Sequence, residues 1–408
     1  MHPSATPTTS EKDNSKSRIF RHMEDRTSLC RFAHLRARTS VATPANHYKS
    51  ACITSNDDLV MALRFLRSGT LEAPSLCHAV VEWDINGRTP GGTTKYWLNS
   101  ERATPTRILP PQGLLPNLHT LRFHCWDWPL YIEPDFLSAL RHMTTITQLH
   151  LHHCTFMLGE CLSTILFNLP KLTELTLDSV RWGDPTPGYG PQGEFTTVPS
   201  LAQRTLPLRK LRIRSPYNYG PFFAWLVDHK CVKVRHLELT MFDSENGRHA
   251  AWYVQYLGSA LETLVCGLCP PVQKQSPEDN WLFLQCNPRL RKLSFDIYDA
   301  QSHYANWIHK VLATASSCPL TTVAFALALG SRQTLWSQPW ETVHGLLTTG
   351  WKSSLREVAI THHSHWQFVA DAKPFFFARF PELAKRGILS VYNIETEDSI
   401  ATRPRAYQ

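Results

Sequence analysis

The chain has 408 residues, a formal net charge of +8, and apolar and charged shares of 42% and 19%. That balance suits an ordinary globular protein. The charge is too small for this length to mark a nucleic-acid binder, and no apolar run reaches the ~18–20 residues that a membrane helix needs. The eleven cysteines are scattered and odd in number, and the polar start MHPSATPTTSEKDNSKSR lacks the apolar core of a secretory signal. Reduced, buried thiols in the cytoplasm or nucleus are therefore expected rather than disulfides.

Residues 1–17 carry almost no apolar side chain and are expected to form a disordered tail. The texture changes over residues 18–50. Ile19, Phe20 and Met23 share a helical face, Glu24 to Thr27 interrupts it, and Leu29, Phe32 and Leu35 resume it. Two short amphipathic helices joined by a polar turn fit this pattern. Ser55-Asn56-Asp57-Asp58 then reads as a helix start, followed by Leu59, Leu63 and Leu66 on one face and ended by Gly69. CHAVVEWDI, with Val81 and Trp83, is a short strand, and the Gly-, Pro- and Thr-rich residues 86–113 form a surface loop.

From residue 146 to 181 a unit becomes visible: ITQLHLHHC, a helical stretch from Met157 to Leu169, and then KLTELTLDS. Ile146, Leu149, Leu151 and Cys154 have the L-x-x-L-x-L-x-x-C spacing of a leucine-rich repeat, and Leu172, Leu175 and Leu177 restate it. The middle apolar residue of the frame recurs at Leu121, Leu149, Leu175, Leu211, Leu237, Leu264, Leu293, Val323, Val358 and Leu389, at steps of 26 to 36 residues. Loops at 182–204 and 270–278 interrupt the array. Helical patterns rich in aromatic residues cover 220–230, 247–260, 303–316, 340–349 and 375–386. One such unit cannot bury its own apolar face, so the copies must stack. The expected fold is α/β: a curved leucine-rich-repeat solenoid over residues 51–393, with parallel strands on the concave side and helices on the convex side. Residues 394–408 form a tail.

In this frame the residues between the apolar positions face outward and line the concave sheet, where such folds meet partners. The charged and histidine-bearing rows are Arg122 and His124; Gln148, His150 and His152; Glu174, Thr176 and Asp178; Lys210, Arg212 and Arg214; and His236 and Glu238. This stretch is the candidate partner-binding patch. The rows of Thr263 and Thr322 are nearly uncharged.

Other motifs carry less. Gly188-Tyr189-Gly190-Pro191-Gln192-Gly193 matches the dinucleotide glycine pattern, but prolines crowd it and no helix follows to hold a pyrophosphate. His150, His152, His153 and Cys154 cannot all converge from one strand. The histidines at 362, 363 and 365 read as surface residues, and Cys266-x-x-Cys269 lacks the second half of a zinc pattern. With no nucleophile elbow, phosphate loop or H-E-x-x-H, the sequence points to no catalysis, cofactor or metal.

The phrases LPNLHTLRFHCW, LPKLTELTLDSVRW and NPRLRKLSF, the closing RGILSVYN and the helix within ITSNDDLVMALRFLRSG resemble the F-box/leucine-rich-repeat family of mushroom-forming fungi, over about residues 52–393. The resemblance implies a protein-interaction role: substrate recognition in a cullin-type ubiquitin ligase, with the F-box docked on a Skp-type adaptor. Ile19, Phe20, Met23, Leu29, Phe32 and Leu35 fall at the family's apolar F-box positions. The module is incomplete or degenerate, since no Leu-Pro-x-Glu opening precedes Arg18, and Leu35-Arg36-Ala37-Arg38 replaces the Val-Cys-x-x-Trp ending. The alternative is that residues 18–50 only cap the open end of a binding scaffold with no ligase role.

Overall fold

A computed structural model describes residues 50–53, 62, 82–86, 108–110, 113–128, 131–183, 195, 204–214, 219–242, 244–268, 282–297, 304–328, 339–363 and 369–393. They divide between two compact units, Met1–Thr155 and Phe156–Gln408. The fold is mixed α/β with parallel strands, consistent with a solenoid-like arrangement.

In the first unit, β1 (Ser50–Ile53), β2 (Glu82–Asn86), β3 (Thr120–His124) and β5 (Gln148–His152) pair in chain order and in parallel. Register runs Ala51↔Trp83↔Leu121↔Leu149, so the frame residues line up across the sheet. β1 was not expected from the sequence. SACI is too short to show a period, and its strand forms because β2 offers it a partner. Ile53 opens the family-like ITSN phrase yet ends this strand, while Ala62 within that phrase is helical and buried. Trp83 is fully buried, and its indole donates to the Ile108 carbonyl at 2.9 Å. The helix α1 (Pro134–His142), with Pro134 in its first turn, buries Phe136 and Leu140. Trp128 stacks edge-on against both Phe123 and Phe136, tying strand and helix together.

The second unit repeats the scheme at greater length. β7 (Glu174–Asp178), β9 (Lys210–Arg214), β10 (His236–Phe242), β11 (Thr263–Leu268), β12 (Lys292–Ile297), β13 (Thr322–Ala328), β14 (Glu357–His363) and β15 (Leu389–Asn393) pair consecutively and in parallel. Leu175, Leu211, Leu237, Leu264, Leu293, Val323, Val358 and Leu389 form one continuous ladder of partners. All eight are buried. Each buried aliphatic side chain contributes about 1.5–3 kcal/mol relative to an exposed one. The ladder is thus the main support of the unit.

Between them run α2 (Gly159–Phe167), α3 (Gly220–Asp228), α4 (Ser244–Leu257), α5 (Tyr304–Thr314), α6 (Trp340–Gly350), α7 (Val369–Arg379) and α8 (Pro381–Lys385). Aromatic pairs carry the packing: Phe295 on Trp307, Phe325 on Trp340, Trp340 on Phe376, and Phe223 on Tyr253. These rings join the buried strand face to the helices and leave the other strand face open. The expected helix at 375–386 starts earlier and is two helices. Pro381 opens the second, and Pro374 is accommodated inside the first.

Two backbone devices repeat. The carbonyl just before a strand accepts from two successive amides of the next repeat: Thr173 from Arg209 and Lys210, Arg209 from Arg235 and His236, and Arg291 from Thr321 and Thr322. After β3, β5 and β7 one residue turns left-handed, Cys125 (φ 54°), His153 (φ 52°) and Ser179 (φ 53°). The chain then enters a two-residue strand: β4 (Asp127–Trp128), β6 (Thr155–Phe156) or β8 (Arg181–Trp182). The Ser179 amide donates to the Arg214 carbonyl at 2.7 Å, which fastens this turn to the neighbouring strand.

A fourth left-handed non-glycine position is costly. α3 ends in a Schellman motif, with the Cys231 amide on the Leu226 carbonyl and the Lys230 amide on that of Val227. α8 ends the same way with Gly387, but α3 puts exposed Lys230 at φ 52°. Lys230→Gly should relieve a left-handed penalty of about 1–2 kcal/mol and lose part of that to chain entropy. A net gain of about 0.5–1 kcal/mol is expected in urea unfolding.

Candidate partner-binding face

Strand side chains alternate, so burying the frame residues turns their neighbours to the open face. In the first unit these are Arg122, His124, Gln148, His150 and His152, all half-buried. β2 adds two carboxylates that the sequence reading did not include. Glu82 pairs with Arg122 at 3.3 Å, and Asp84 with the Nε2 of His124 at 3.2 Å. The His124 and His152 rings stack with centroids 4.6 Å apart, and His150 follows His152 at 6.2 Å. His153 sits in the left-handed turn and Cys154 is fully buried, so this cluster does not converge on one point. Among the described residues no group of three or more His, Cys, Asp or Glu could hold a metal ion.

The second unit carries the denser arrangement. β9 presents Lys210, Arg212 and Arg214 on one face, between the carboxylates of β7 and β10. Lys210 meets Glu174 at 3.0 Å. Arg212 donates through Nε to one oxygen of Glu238 at 2.9 Å, and Arg214 to the other at 2.7 Å. Two guanidiniums therefore close over one carboxylate. The Glu238 side chain is only 11% exposed, against 41% for each arginine. Thr176 is buried as well, Asp178 accepts from the Ser179 hydroxyl, and His236 is exposed beside Lys210.

A cleft of about 490 Å³ opens over these strands, lined by residues that include Glu174, Lys210, Arg212, His236, Glu238 and Val265. Arg209 and Arg235, which lead into β9 and β10, also line it, as does Glu262, held by Arg235 at 3.5 Å. The outward positions of β13 bear no charge: Thr322, Ala324 and Ala326. Of the charged patch expected from the sequence, Glu174, Lys210, Arg212, His236 and Glu238 line this cleft.

A comparison with protein-family models finds no match, and neither does one with curated proteins.

The remaining candidates separate by burial. Burial pushes the Cys154 and Cys231 thiols up to about 12 and raises Cys266 as well, which disfavours the thiolate that a nucleophile needs. Cys266 points its thiol at the Ser294 carbonyl, and Cys269 lies outside the described residues. His362, expected on the surface, is 2% exposed because it takes an inward frame position opposite Leu327. The adaptor candidates Ile19, Phe20, Met23, Leu29, Phe32 and Leu35 lie outside the described residues, as does the glycine pattern at 188–193. Among the described residues no helix is long and apolar enough to cross a membrane.

Proposed function

We propose that the chain is a protein-recognition module of the leucine-rich-repeat type, working in the cytoplasm or nucleus as the substrate-recognition subunit of a cullin-type ubiquitin ligase. The observation that carries the recognition role is the open strand face of β7, β9 and β10. Its side chains are held by cross-strand ion pairs and surround a cleft, while the opposite strand face is consumed by the aromatic helices. A face organised in this way offers a preset pattern of charge to another protein. The ligase role rests on the family resemblance of residues 18–38, where Ile19, Phe20, Met23, Leu29, Phe32 and Leu35 would meet a Skp-type adaptor.

The test is capture of the host's Skp-type adaptor by the full chain and by its Ile19→Asp/Phe20→Asp variant. Stable capture by the native chain, reduced at least about tenfold in the variant, is expected, since two apolar anchors of the proposed contact are replaced by charges. If the folded native chain captures no adaptor, the ligase role falls, and a repeat scaffold that binds through the strand face alone is the reading that remains.

A further inference from the structure

We draw no further inference here: the strongest candidate, the surface patch of small, uncharged side chains that Val265, Ser294, Ala324, Ala359 and Ser390 form in register across the open strand face of β11 to β15, carries nothing, because nothing in the structure shows what covers it.

Discussion

Leu175→Asp is expected to abolish the cooperative unfolding of the second unit. Leu175 is 1% exposed and heads the ladder that continues through Leu211 and Leu237. The substitution removes a buried aliphatic side chain, worth about 2–5 kcal/mol with the cavity it leaves. It also puts a carboxylate beside the buried, apolar Leu177, Leu211 and Ile213, which cannot pair with it, and this costs several kcal/mol more or forces protonation. The sum rivals the whole stability of an ordinary domain, about 5–15 kcal/mol. Loss of the melting transition by circular dichroism, or recovery of the chain only in the insoluble fraction, is the expected readout. Arg212→Gln provides the contrast. It alters an outward residue of the adjoining strand, and Arg214 still holds Glu238, so the melt should move by no more than about 1 kcal/mol. Equal melts for the two variants would contradict the inward and outward assignment of the strands.

Gly267→Val should be the most damaging change at an outward strand position. A Cβ at Gly267 would stand 2.7 Å from the Asp296 carbonyl oxygen and 3.2 Å from both Cβ and Cγ2 of Thr240. Thr240 is fully buried, and the carbonyl belongs to a strand locked in register, so neither neighbour can swing aside. The expected costs are about 2 kcal/mol for Gly267→Ala and about 3 kcal/mol or more for Gly267→Val. For a unit of this size the valine variant should melt about 6–12 °C lower. The control is Gly345→Ala within α6, where an added Cβ meets nothing within 4 Å. That change should stabilise by about 0.5–1 kcal/mol, through reduced backbone freedom in the unfolded chain. A valine variant that melts with the native chain would mean β11 does not lie this close to β12.

The face itself was partly legible before the fold. Arg212, Arg214 and Glu238 stood out because they flank frame leucines, and a strand's period of two places them outward whatever the tertiary structure does. Their mutual geometry was not legible. Glu238 lies 24 residues from Arg214, and only parallel pairing in register makes them neighbours. Glu82 and Asp84 were missed for a related reason. Their strand is a degenerate copy, so its outward residues could not be aligned with Arg122 and His124 until the pairing of Trp83 with Leu121 was known.

The sequence by itself determined the strand frame, the inward ladder and the approximate helices, because those follow from local periodicity and from the need of each repeat to bury an apolar stripe. Tertiary structure decided what periodicity does not encode. It added β1 and the short strands β4, β6 and β8, which have too few residues to show a period and form only against neighbours. It turned His362 inward, crowded Gly267 between Thr240 and Asp296, and sank Glu238 beneath two arginines. Each of these depends on which residue the register places beside it, and that is a property of the stacked sheet rather than of any single repeat.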